Sequence, residues 1–243
     1  MNRSYILACF AYETNGDWQL IKEKILSNST NKNYHINENY ITIFDKEYPS
    51  KLRELQYPPW VIFYKGNLEL MNKASISIVG SREVSAYGEY CTKEISKGLM
   101  QDYVLVSGMA KGVDKIVHDC CIGNGQTIAI LGSGFDNVYP KCNINLFNDL
   151  ARDHLVISEY PKHVAPKRHH FPWRNRLIAA LGDACIVTQA RFKSGTMITV
   201  DATLELSKDV YCVPYNINDI NGEGCNLLIS QGANIIIDFK NIL

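Results

Sequence analysis

From residue 75 onward the chain alternates short apolar runs with longer segments of helical spacing. The runs are Ser75–Val79, Tyr103–Val106, Thr127–Leu131, Leu155–Ile157, Ala184–Thr188, Val210–Val213 and Asn234–Ile237. Each is apolar on both of its alternating sides, the pattern of a strand covered above and below. Between them Tyr87, Cys91, Ile95 and Leu99 recur every four residues, and Leu177, Ile178 and Leu181 form a second stripe, so these segments read as helices. Strands separated by helices predict an α/β architecture with a mostly parallel sheet and helices on both faces. Ahead of this region lie two short extended pieces, Tyr40–Phe44 and Val61–Tyr64. Tyr57-Pro58-Pro59 separates them, where each proline removes a donor and restricts its predecessor. Residues 1–37 hold one helical pattern, Trp18–Leu26, and then the polar stretch SNSTNKNYHIN. The expected organisation is a small helical extension over 1–37 and one larger unit over 38–243.

Composition changes this picture little. Hydrophobic residues are 46% and charged residues 21%, ordinary for a globular chain. A formal net charge of zero excludes general coating of a polyanion but leaves room for a local basic groove. None of the eight cysteines forms a CxxC pair, which excludes a zinc ribbon or thioredoxin motif; they read as small hydrophobes in a reducing cytosol. The first residues lack a signal-peptide core, and nowhere do 18 apolar residues run together, so a cytoplasmic protein without a membrane span is expected.

In an open parallel sheet, ligands bind beyond the carboxyl ends of the strands. There the sequence places Gly80-Ser81-Arg82, Ser107-Gly108 with Lys111, Gly132-Ser133-Gly134, Ser158-Glu159, and Ser194-Gly195-Thr196 beyond Gln189. Glycine admits a ligand to the backbone and hydroxyls donate to phosphate or sugar oxygens, so the rim reads as an anion site. The segment Pro161–Arg176 (PKHVAPKRHHFPWRNR) adds Lys162, Lys167, Arg168, Arg174 and Arg176, interleaved with Phe171 and Trp173 and without any acid. Cations that follow a backbone, mixed with rings that stack bases, are the ingredients of single-strand nucleic-acid binding. A solvated loop pinned by its aromatics is the competing reading. Walker, nucleophile-elbow and H-E-x-x-H motifs are missing, and Gly132-Ser-Gly134 lacks the third glycine of a dinucleotide site; no catalytic residue, metal or cofactor is expected. Asp114 and His118, one helical turn apart, read as a packing contact rather than an acid–base pair. His163, His169 and His170 have no carboxylate or thiol nearby to complete a metal site.

Taken in order, ITIFDKEYPSKLRELQYPP, VIFYKGNLEL, SIVGSR with Tyr87-Gly88, SGMAKGVDKIVHD, LGSGFDNVYP, ISEYP, FPWRNRLIAAL, SGTMIT and GCNLLISQGA resemble the DprA/Smf family of bacterial DNA-processing proteins. The resemblance runs from Tyr40 to Asp238, about four-fifths of the chain. It implies an extended Rossmann-like fold and a non-enzymatic protein that binds single-stranded DNA without reading its bases. It further implies protection of incoming DNA, loading of the RecA recombinase during natural transformation, and a homodimer. By the same resemblance Arg82, with Gly80 and Ser81, is the principal phosphate contact. Ser107, Gly108, Lys111, Gly132 and Gly134 line the pocket, and Phe171 packs against a base. Lys167, Arg168, Arg174, Asn175 and Arg176 add charge and polar contacts, while Ser194, Gly195 and Thr196 close the far side. The chain departs from the family pattern in four places. A carboxy-terminal winged helix is expected to be absent, and the amino-terminal helical region is cut down. Gln189 stands where glutamate is usual, and Tyr215 where glycine is usual. An alternative is a nucleotide phosphoribohydrolase of the lysine-decarboxylase-like group. Of its P-G-G-x-G-T-x-x-E motif only Gly195-Thr196 is present, and Glu205 lies too far along. A nucleotide-sensing adaptor on the same fold is a third reading.

Overall fold

A computed structural model describes residues 3–27, 29 and 33–239; the outer bounds at 1 and 243, and part of the polar stretch after Leu26, lie outside the described residues. One sheet contains β1 (Asn39–Thr42), β2 (Val61–Gly66), β3 (Ser75–Gly80), β4 (Val104–Ser107), β5 (Gln126–Leu131), β6 (Leu155–Ser158), β7 (Ala184–Gln189), β8 (Val210–Cys212) and β9 (Asn234–Ile235). Their spatial order is β1-β2-β6-β5-β4-β3-β7-β8-β9. The strands from β6 to β9 in this row are parallel; β1 and β2 form an antiparallel edge, joined to β6. The expected α/β fold with a mostly parallel sheet is present, and each anticipated strand is found to within a few residues.

The helices are α1 (Arg3–Thr14), α2 (Trp18–Leu26), α3 (Ser50–Arg53), α4 (Ala86–Leu99), α5 (Val113–Cys121), α6 (Ile144–Asp153), α7 (His170–Leu181), α8 (Thr196–Glu205) and α9 (Glu223–Ser230). The inner strands supply both faces because their residues are buried on both sides: β4, β6 and β7 are buried at every position. On one face Leu105, Ile76 and Ile186 meet Cys91 and Ile95 of α4 and Val117 of α5. That face continues where Phe63, Ala129 and Val156 meet Leu7 and Phe10 of α1 and Phe147 of α6. Opposite, Val79, Val106, Ile128 and Ile157 pack under Leu52 of α3, Leu177 and Ile178 of α7, Val200 of α8 and Leu228 of α9.

Helix α1 corrects the sequence reading, which had one helix before residue 38. Ser4, Leu7, Ala8, Cys9, Phe10, Ala11 and Thr14 of α1 are all buried. They lie around most of its circumference, so no polar stripe alternates with an apolar one.

The chain moves outward from β3 through β4 and β5 to β6, then crosses back to the far side of β3 as β7. Neighbouring connections therefore diverge between β3 and β7, which opens a crevice at their carboxyl ends.

Candidate functional site

A cavity of about 790 Å³ occupies that crevice, lined by 79–83, Ala110 and Asp114, Tyr139, 166–168, parts of α7, Arg191 and the start of α8. At its floor Gly80 is pressed between neighbours: a side-chain carbon there would come within 2.6 Å of Val113 and 2.9 Å of the Gln189 carbonyl. The next turn is tied down from three sides. Ser81 N–H donates to Gln189 O (2.9 Å), Val113 N–H donates to Ser81 O (3.1 Å), and Ser81 Oγ donates to Glu83 O (2.7 Å). Gln189, buried at the end of β7, secures the rest: its Oε1 accepts from Ser85 N–H (2.9 Å) and Ser85 Oγ–H (2.8 Å), and its Nε2 donates to Glu83 O (2.9 Å). An amide does this where a carboxylate lacks the donor. The other departure, Tyr215, is also tied in: its hydroxyl donates to Thr188 O (2.8 Å), and its ring meets Tyr87 edge to face at 5.0 Å.

This anchored turn holds Arg82 out into the cavity. Arg82 is exposed, its guanidinium carbon 5.8 Å from the centroid of the Phe171 ring, and Phe171 in turn lies 5.5 Å from Tyr139. Phe171 sits over Gly132, where an added carbon would come within 3.0 Å of the ring. His170 supports that floor through Nδ1, 3.1 Å from Gly132 O, while stacking on Tyr160 at 4.0 Å; burial pushes its pKa down to about 4, leaving a neutral donor. Lys167 and Arg168 are exposed on one lip and Arg191 on the other. At the start of α8 the space above Gly195 is open for 4 Å, and the buried Ser194 Oγ has no hydrogen-bond partner. Arg174 lies deeper: it donates to Ile130 O and to Asn175 Oδ1 (3.2 Å). Burial lowers its pKa, and the Asp114 carboxylate opposes that shift.

Eleven of the expected residues thus come together on the cavity: Gly80, Ser81, Arg82, Lys167, Arg168, Phe171, Arg174, Asn175, Ser194, Gly195 and Thr196. Six others do not line it. Ser107 is fully buried, its hydroxyl donating to Ile78 O (2.7 Å). The space over Gly108 is filled by Arg174 and Asp114, and that over Gly134 by the backbone of Pro161 and Lys162. Gly132 lies beneath Phe171, and Lys111 is exposed outside the cavity. Arg176 faces away: its guanidinium is held bidentately by Glu159 (2.6 and 2.6 Å) and donates to Tyr57 O and Trp173 O. A buried, fully paired arginine has no donors left for a phosphate.

His118 and Asp114 take their hydrogen bonds from other partners. The fully buried His118 places Nε2 2.6 Å from Gly108 O and Nδ1 2.8 Å from Thr127 Oγ1, while Asp114 accepts from Ala110 N–H (3.1 Å). Among the described residues no group of three or more His, Cys, Asp or Glu is placed to hold a metal ion, and no helix is long and apolar enough to cross a membrane. The sequence reading also passed over Arg191 and Tyr139. Arg191 follows a strand end and was open to the strand-end rule; Tyr139 reaches Phe171 only through the folded path of the chain.

Residues 39–243 match the family model of DNA recombination-mediator protein A. The chain belongs to this family. DNA processing protein DprA of Streptococcus pneumoniae is 40% identical over 203 residues, 83% of this chain and 72% of the relative. DprA of Bacillus subtilis is 38% identical over 84% of this chain and 70% of its own length. The X-ray structure of the pneumococcal DprA superposes with a TM-score of 0.83, covering 91% of this chain and 80% of that one. DNA processing protein A of Helicobacter pylori, whose structure concerns a single-stranded DNA binding mode, is 29% identical with a TM-score of 0.76 and covers 84% of this chain and 94% of its own. The Gly80-Ser81-Arg82 turn and Phe171, Pro172, Arg174 and Asn175 at the start of α7 meet across the cavity.

Proposed function

We propose that this DprA-family protein binds single-stranded DNA in the β3/β7 trough, gripping the sugar-phosphate chain without reading base identity. One observation carries the reading: Arg82 stands exposed over the Phe171 ring, in an open cavity whose lips bear Lys167, Arg168 and Arg191. The guanidinium fork suits a phosphate, and the adjoining ring face suits an unpaired base. The exposed cations outnumber the cavity's two carboxylates, Glu83 and Asp114, so the field inside favours an anion although the whole chain is neutral. The single-strand binding mode of the H. pylori relative supports the same ligand. From the family we take the wider role: shielding incoming DNA and delivering it to the RecA recombinase during transformation, as a homodimer, by binding rather than catalysis. The phosphoribohydrolase alternative gains nothing from the cavity, since Glu205 closes the far end of α8 and does not line it.

The deciding experiment is a titration of a labelled oligonucleotide as single strand and as duplex, with adenosine monophosphate as competitor. Tight single-strand binding, weaker duplex binding and no competition by the mononucleotide are expected. Release of free adenine from the mononucleotide, without oligonucleotide binding, would replace this reading by the enzyme.

A further inference from the structure

All three tryptophans of the chain stand in one ladder that lies outside the trough and includes Trp173 of α7. Trp18 stacks on Trp60 (5.3 Å, 26°), Tyr57 meets Trp18 at 5.1 Å, and Trp173 meets Tyr57 at 5.7 Å. The ladder is stiff. Trp18 Nε1–H donates to Pro58 O (2.7 Å), Trp60 Nε1–H donates to Trp18 O (3.1 Å), and the Arg176 guanidinium lies 4.0 Å over the Trp173 ring while Glu159 holds it. These bonds fasten α2 to the core, but they use ring edges and backbone. The rings are not fully covered: Tyr57 is 39% exposed and Trp18, Trp60 and Trp173 are half-buried, while Lys22 Nζ stands 5.6 Å over Trp18.

The ladder begins where the trough ends. Pro172 lines the trough and Trp173 is the next residue, and the exposed Lys167, Arg168 and His169 precede both in the loop leading into α7. Resting on the function proposed above, we infer that the ladder is a second, base-stacking subsite, over which the same single strand continues after crossing the Lys167–His169 loop. Its ligand class is the unpaired nucleobase of any identity, because every base has a π-face and the rings offer no specific polar readout. Rings already fixed in place lose little freedom when a base settles on them.

Because every tryptophan belongs to the ladder, the chain's own emission reports on it. Oligothymidylates of about five and about fifteen nucleotides are titrated into the intact protein, with binding followed separately by a label on the oligonucleotide. The short strand fills the trough and is expected to leave tryptophan emission nearly unchanged, whereas the long one lowers it by roughly a third. Tyr57→Ser, which removes an exposed ring whose hydroxyl is not needed for the staple, is expected to weaken the long strand about tenfold and the short one not at all. Binding at both lengths with equal or no quenching overturns the ladder and leaves the trough standing. So does a Tyr57→Ser effect that is the same at both lengths. If neither strand binds, the proposed function itself falls, and this inference with it. Should Tyr57→Ser lower the melting temperature sharply, the quenching of the unaltered protein decides alone.

Discussion

The two ends of the parallel strands each carry a cavity, about 790 Å³ at the carboxyl rim and about 590 Å³ at the amino rim. In size they are alike; in chemistry they are opposites. The carboxyl rim presents Arg82, Lys167, Arg168, Arg174 and Arg191 against Glu83 and Asp114, and α4, α5, α7 and α8 begin there. The amino rim presents Lys73 against Asp102 and Asp153, Lys73 is engaged with Gln126 (2.9 Å), and α4, α5 and α6 end there. Helix starts expose N–H groups and favour anions, while helix ends expose carbonyls and disfavour them. A cavity alone therefore does not choose a ligand. The polarity of a βα repeat gives one rim to anions, and side-chain charge reinforces the choice.

The contrast breaks most readily at Arg82. Arg82→Glu is expected to weaken single-strand binding on the order of a thousandfold, by removing one charge-assisted contact and adding a repulsion. Lys73→Glu, the same reversal at the amino rim, should change it less than about twofold. Anisotropy titrations at one salt concentration compare them; equal losses would mean that the binding groove is not at the carboxyl rim. Salt sharpens the point. With Arg82, Lys167, Arg168 and Arg191 each meeting a phosphate, log affinity should fall with log salt at a slope near −3, about fiftyfold between 50 and 200 mM. Arg168→Ala should flatten the slope by about 0.7, whereas Lys73→Ala should leave it alone.

How far this site was visible beforehand depends on the kind of signal. Strand positions and the Gly80–Arg82 turn follow from the chain's own periodicity, because a strand buried on both faces needs apolar residues throughout. The use made of each arginine does not follow, since its partner comes from a distant part of the chain. Arg174 and Arg176 sit in one motif, yet Arg176 is claimed by Glu159 and by the Tyr57 carbonyl, 119 residues away. Helical phase carried part of the answer: 171, 174, 175 and 178 share one side of α7, which turns 176 away. Ser107 and Gly108 misled because a small residue at a strand end serves tight packing as well as ligand approach. Helix α1 was invisible for the opposite reason, being buried on nearly every side.

A third test concerns His118, in the helix that runs from one rim to the other. Burial pushes its pKa down to about 4, against the hydrogen bond to Gly108 O and the Asp114 and Asp119 carboxylates, which favour the charged ring. The unfolded chain, with an ordinary value near 6.5, binds the proton first, so stability is lost as pH falls from about 6.5 towards 4. This one group should cost about 2 kcal/mol between pH 7 and pH 5. Denaturant unfolding of the parent and of His118→Gln at both pH values checks it, since the variant loses this contribution while His154 and His170, also lowered by burial, retain theirs. Equal pH dependence in the two proteins would refute the assignment.

The smallest expected effect separates charge from positioning at the carboxyl rim. The Gln189 side chain carries no charge and contributes to the trough by holding Glu83 and Ser85, and with them the turn that presents Arg82. Gln189→Leu removes three hydrogen bonds and should weaken the single strand about fivefold, the value of one modest hydrogen bond's worth of order in the turn. Gln189→Glu keeps both bonds from Ser85 and sets an oxygen against Glu83 O, so about a twofold loss is expected. In both variants Arg82 keeps its charge, and the salt slope should stay near that of the parent. A slope that flattened along with the affinity would show that the turn had withdrawn Arg82 from the phosphate altogether, and that the carboxyl rim owes its preference to the shape of one loop rather than to its charge.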